Sequence, residues 1–123
     1  MNPSDLQRFV LDEMRRYLDG YESPAPSTAL GTPWTKDKIA IELEAMRSLL
    51  IEPYESSYLC GGAIDATNNP PRQKPAWVVA SDGIYRLLFD PEARDFVLAH
   101  ASGEGKLSSW GIRGDASSTF LAR

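Results

Sequence analysis

One cysteine and one histidine occur in the chain, Cys60 and His100, so any thiolate chemistry would have to join these two. A catalytic cysteine needs a lowered pKa and a nearby base, commonly an imidazole. Both residues fall on expected strands, which can bring distant positions together, yet no further pattern surrounds either. The plainer reading makes Cys60 a small buried thiol on the face of Tyr54 and Tyr58. It makes His100 a partly buried, hydrogen-bonded residue sharing a strand face with Phe96 and Leu98. A zinc site needs three or four ligands at close spacing, and no Cys/His/Asp/Glu group has it. No residue is given a catalytic role, and no metal or cofactor is implied.

Gly61-Gly62 follows a strand, where phosphate-binding loops occur. A third glycine, a Gly-Lys-Ser/Thr and a following helix are all missing. Asp115-Ala116-Ser117-Ser118 reads as a turn, since Gly-x-Ser-x-Gly is absent. Asp82 and the acids of Asp90-Pro91-Glu92 read as turn residues. The aromatics say more. Tyr54, Tyr58, Trp77, Tyr85, Phe89 and Trp110 all fall on expected strands. Tyr and Trp combine contact area with a polar tip, which suits both pockets and interfaces, and they also simply fill cores. Arg86 would anchor an anion or a partner carboxylate if it shares a face with Ile84 and Leu88; otherwise it belongs to a solvated face. Candidate ligand- or partner-binding residues are therefore Tyr54, Tyr58, Cys60, Arg86, His100 and Trp110.

The elements that must position them begin with a helix. Asn2 suits the cap, Pro3 the first turn, and Asp5 the positive end of the dipole. Leu6, Phe9, Val10, Met14, Tyr17 and Leu18 then form one face, and Gly20 ends it. Residues 21–33 read as a loop broken by Pro24, Pro26, Gly31 and Pro33. A second helix is predicted from Thr35 to Leu50, with Ile39, Leu43, Met46 and Leu50 as its stripe, and Pro53 closing helical character.

Strands follow. Tyr54 to Cys60 alternates, with Tyr54, Ser56, Tyr58 and Cys60 on one face. Residues 65–75, with Asn68-Asn69-Pro70-Pro71 and Lys74-Pro75, read as an exposed loop. Ala76–Ala80 and Ile84–Phe89 pair through a Ser81-Asp82-Gly83 hairpin. Phe96–Ala101 returns after a turn at Asp90–Arg94. Leu107–Ile112 and Ser118–Leu121 form a last hairpin around Gly114-Asp115. The stretch Val79-Ala80-Ser81-Asp82-Gly83, with Leu88-Phe89-Asp90, resembles the Ser-Asp-Gly hairpin of SMI1/KNR4-type domains, many of which are toxin immunity proteins. That resemblance covers residues 79–90, and the family's Leu-Pro and Asn-Gly-Gly punctuation is missing, so no membership follows from it.

Helices first and strands later favour α+β: two N-terminal helices packed on one face of a curved antiparallel sheet of five to six strands, as one domain over residues 1–123. The other arrangement is a sheet curled into a cone with the helices across its mouth. At 123 residues the chain can bury one core without disulfides or metal. Its net charge of −4 is spread along the sequence, with no basic stripe. Nucleic-acid binding draws much of its affinity from neutralising phosphates, and anionic membranes attract polybasic segments, so neither partner is expected. A single cysteine and the absence of a basic-then-apolar start point to a reducing cytoplasm, with a bacterial source as the default expectation. Two functions stand: a non-catalytic module recognising another protein, regulatory or immunity-type, or a small-molecule pocket in a curved sheet lined by aromatics, Cys60 and His100. An exposed strand edge would also permit a homodimer.

Overall fold

The computed structural model describes residues 2–22, 34–61 and 71–123. The first helix starts where its cap is written. Asn2 Oδ1 accepts the Asp5 amide at 2.8 Å, Pro3 follows, and α1 runs over Pro3–Gly20. Its side chains at four-residue spacing, Leu6, Val10 and Met14, are buried. Thr35 Oγ1 accepts the Lys38 amide at 3.1 Å and opens α2, Lys36–Ser48, which buries Ile39, Leu43 and Met46. This helix stops two residues short of expectation. Leu50 already begins β1, Leu50–Cys60, and Pro53 lies inside that strand at the register shift between Leu50 and Tyr54. A bulge is where a strand accommodates a residue without an amide hydrogen.

Four more strands follow: β2 (Arg72–Asp82), β3 (Tyr85–Asp90), β4 (Asp95–Ala101) and β5 (Leu107–Gly114). Successive strands pair antiparallel, so helices and sheet form an α+β fold as expected. Gly83 takes a positive φ of 59° at the β2–β3 hairpin, as the Ser-Asp-Gly turn requires. With five strands in a meander, the first and last run the same way. β5 therefore closes on β1 as a parallel pair, with Leu59 opposite Ser108, and the sheet becomes a barrel.

Two sequence expectations need correction. Residues 72–75 were expected in an irregular loop but form the start of β2, where Pro75 stands opposite Ser57 and Lys74 opposite Tyr58. Proline keeps a φ compatible with extended chain and costs one amide donor; here the Lys74 side chain is held by partners on other strands, described below. The expected last strand at Ser118–Leu121 is instead a short helix, α3, over Ala116–Leu121. Asp115 is its cap, accepting the Ser118 amide at 2.7 Å. Residues 23–33 and 62–70, which hold most of the two expected loops, lie outside the described residues.

Alternation along the strands creates two cores. Tyr58, Cys60, Ala76, Val78, Leu88, Val97, Ala99 and Leu107 fill the barrel. Small Cys60, Ala76 and Ala99 make room there for the larger Tyr58, Leu88 and Leu107. Val79, Leu87, Phe89, Phe96 and Leu98 project from the outer wall and meet α1, α2 and α3. This two-sided burial explains why the central strands read as unbroken apolar runs. Phe120 anchors α3 in the outer core, fully buried; burial of such a side chain contributes roughly 2–3 kcal/mol.

Candidate functional site

The strand ends gather a polar group inside the barrel that draws one side chain from each strand. Tyr58 comes from β1, Lys74 from β2, Asp90 from β3, Asp95 from β4 and Arg113 from β5. Asp90 is the hub. Its Oδ2 accepts the Tyr58 hydroxyl at 2.5 Å and faces Lys74 Nζ at 2.7 Å and Arg113 Nη2 at 3.2 Å. Its Oδ1 accepts the amides of Glu92 and Ala93 at 2.9 and 3.0 Å. Arg113 grips Asp95 with two bonds, Nε to Oδ2 at 2.7 Å and Nη2 to Oδ1 at 2.8 Å. Its Nη1 reaches Cys60 Sγ at 3.9 Å. At the rim, Glu92 Oε1 joins Arg72 at 2.5 Å and Lys74 at 3.5 Å.

Two acids and two bases give this interior group no formal net charge, and Asp90, Tyr58 and Arg113 are shifted away from neutral pH. Burial alone would raise Asp90, but the hydrogen bonds from Lys74, Tyr58 and the Ala93 amide outweigh it and hold the carboxyl far below its ordinary 3.8. Burial, and then the bond to Asp90, push the Tyr58 phenol well above its ordinary 10.0. The bond to Asp95 raises Arg113 against its own desolvation. General acid–base catalysis works best with a pKa near the operating pH. These shifts run the other way and fix the charges in place. The chemistry of this arrangement at neutral pH is charge pairing that ties five strands together at one end of the barrel.

A second group lies on the outer wall. His100 stands opposite Tyr85 on β3 and Ser108 on β5. Its ring lies 4.7 Å from that of Trp110, and Trp110 meets Tyr85 edge-on at 6.3 Å. Trp110 occupies an irregular stretch of β5: two steps along β4, from Val97 to Ala99, span four along β5, from Arg113 to Ser109. Gly111 supports it with a φ of 89°. Trp110 stays 38% exposed and Ile112 37%. Among the described residues, His100 Nε2 is the one buried side-chain nitrogen or oxygen without a hydrogen-bond partner.

No family model, curated protein or solved structure matches this chain. The Ser81-Asp82-Gly83 hairpin is present as structure.

The candidate residues thus separate. Tyr58 and Cys60 sit inside the barrel. His100 shares the alternation of Phe96 and Leu98, which face the helices, so the sheet wall lies between it and Cys60. Trp110 joins His100 outside. Tyr54 is 51% exposed and belongs to neither core. Arg86 bends back on its own hairpin, donating to the carbonyls of Gly83 at 2.5 Å and Tyr85 at 2.9 Å. The six do not converge on one pocket, and His100 Nε2 lacks the hydrogen bond expected of it.

Sequence reasoning passed over Lys74, Asp90, Asp95 and Arg113. A signal existed for the acids: carrying the alternation of Leu88 on to Asp90, and of Val97 back to Asp95, places both on the inner face. Reading Asp90 as a turn residue captured its Oδ1 contacts and missed the burial of its Oδ2. Among the described residues, no group of three or more His, Cys, Asp and Glu is placed to hold a metal ion. None of the described helices is long and apolar enough to cross a membrane.

Proposed function

We propose that this chain is a non-catalytic cytoplasmic module that recognises another protein through the outer wall around His100 and Trp110. One observation carries the reading: an imidazole nitrogen is buried without a hydrogen-bond partner beneath a half-exposed tryptophan. Leaving a buried polar atom unpaired costs about 1–3 kcal/mol, and folds retain few such groups. A partner that displaces the Trp110 ring and supplies a polar atom to His100 would recover that cost. Tyr85 and Trp110 are residue types that dominate binding energy in protein interfaces. The outer core takes in residues of β2, β3 and β4, whereas Trp110 and Ile112 of β5 stay exposed. The mildly acidic charge supports a protein partner over a nucleic acid.

Affinity capture from the native cell with wild-type and Trp110→Ala chains tests the proposal. The expected result is one stoichiometric partner, retained by the wild type and lost by the variant. Capture that yields no stoichiometric partner, or a partner held equally by both, overturns it.

A further inference from the structure

We infer that the outer face of the α1–α2 pair is a contact between two copies of this chain, independent of the His100 surface. The two helices form a hairpin: Tyr21 Oη donates to the Trp34 carbonyl at 2.8 Å, and Lys36 Nζ to the Asp19 carbonyl at 3.4 Å. The end of α1 therefore meets the start of α2, and the helices run back along each other. Between them lies an open groove of about 350 Å³, floored by Leu11, Met14 and Leu18 of α1 and by Ala40 and Leu43 of α2. Leu11 is 36% exposed there. Ile41, one turn before Glu44 on α2, is 65% exposed, the most accessible large apolar side chain among the described residues.

The rim of the groove identifies the occupant. On α1 it carries Asp12 and Arg15, which pair with each other along the helix at 3.3 Å, and on α2 Glu44 and Arg47. Because the helices are antiparallel, Asp12 lies at the Arg47 end and Arg15 at the Glu44 end. Acid and base thus alternate around the four corners. A two-fold axis lying in this face maps every acid onto a base of the second copy, whether the axis runs along the helices or across them. In the first case Asp12 meets Arg47 and Arg15 meets Glu44. In the second, Asp12 meets Arg15 and Glu44 meets Arg47. A face with this pattern is complementary to itself, which is what a symmetric dimer demands. The apolar floor and Ile41 supply the surface to bury, and the charges fix orientation rather than adding much affinity. A foreign partner would need no such self-matching pattern.

Sedimentation velocity on the full chain tests this. The expected result is a monomer–dimer equilibrium with a Kd on the order of 10–100 μM, weakened by added salt. Ile41→Asp, at a solvent-facing position, should raise that Kd by about tenfold or more. Two double variants should each be monomeric: Arg15→Glu with Arg47→Glu, which makes the rim acidic, and Asp12→Lys with Glu44→Lys, which makes it basic. Mixed, they should form a heterodimer visible by native mass spectrometry. Circular dichroism establishes that each is folded, and Ile41→Asp carries the test if a double variant is not. A chain that stays monomeric throughout this range, including one whose groove takes a foreign helix instead, overturns the inference. So does a dimer whose Kd is unchanged by Ile41→Asp, or a pair of double variants that does not associate.

Discussion

Lys74 and Asp90 form a buried ion pair, Nζ to Oδ2 at 2.7 Å, between strands β2 and β3 inside the barrel. Both side chains are nearly inaccessible to water, and Asp90 also holds Arg113 and Tyr58. Removing Lys74 takes one charge-assisted bond from a buried carboxylate that keeps Arg113 and Tyr58, which costs about 1.5–3 kcal/mol. Lys74→Met should therefore lower the unfolding free energy by that amount, measured by urea denaturation at neutral pH. A loss below about 1 kcal/mol, the range of an exposed pair, would show that water reaches the site.

Acid should weaken the fold through Asp90. Its carboxyl titrates lower in the folded chain than its ordinary value of 3.8. The unfolded chain consequently binds the proton first as pH falls. The stabilisation is complete above the unfolded value and is lost as pH drops through the folded one. Unfolding free energy followed from pH 6 downward should fall below about pH 4. In Asp90→Asn the starting stability should be lower and the slope shallower. Equal slopes in the two proteins would place the acid sensitivity elsewhere.

Tyr58 should resist ionisation. Its phenol is pushed far above 10.0 by burial and by donation to Asp90, and this contribution is present below the unfolded value and lost as pH rises through the folded one. In an absorbance titration of the folded protein, Tyr58→Phe should leave the amplitude between about pH 9 and 11 unchanged, because Tyr58 remains protonated there. Loss of one tyrosine's amplitude in that window would mean that the bond to Asp90 does not persist in solution.

The short C-terminal helix should depend on two acids. Asp115 caps it locally, and Glu13 of α1 accepts both the amide and the hydroxyl of Ser117 at 3.1 and 3.0 Å. Asp115→Ala and Glu13→Ala should each cost about 1–2 kcal/mol of unfolding free energy. Glu13→Gln, which keeps an acceptor oxygen, should cost less. Burial raises the Glu13 carboxyl above 4.5, so its charged form is the disfavoured one. Its contribution is fullest below the unfolded value and declines as pH rises through the folded value. Glu13→Gln should thus lose less stability between about pH 4 and 7 than wild type. Identical pH slopes would contradict this.

Trp110→Ala should separate binding from folding. A half-exposed tryptophan at an interface centre accounts for about 2 kcal/mol or more of affinity, a loss near thirtyfold. Once the partner is in hand, calorimetric titration should record that drop while the unfolding free energy falls by about 1 kcal/mol or less. A stability loss of several kcal/mol with unchanged affinity would assign Trp110 to the core instead.

The sequence alone determined the local elements, because their signals act over three or four residues. Asn2 with Asp5, Thr35 with Lys38, the apolar spacing of Leu6, Val10 and Met14, and the Ser81-Asp82-Gly83 hairpin are readable without knowing what lies across the sheet. The α+β order followed from them. Asp115-Ala116-Ser117-Ser118 reads as a turn and Ser118–Leu121 as a strand, but there Asp115 caps a short helix. Only the tertiary structure decided the rest. Closure of β5 onto β1 depends on the twist and number of strands together. Asp90 is buried because its partners arrive from afar: Tyr58 lies 32 positions away and Arg113 lies 23. A carboxylate next to a proline in a turn looks the same in sequence whether its second oxygen meets water or three donors on other strands. Burial and long-range pairing set that difference, and neither is a property of neighbouring residues.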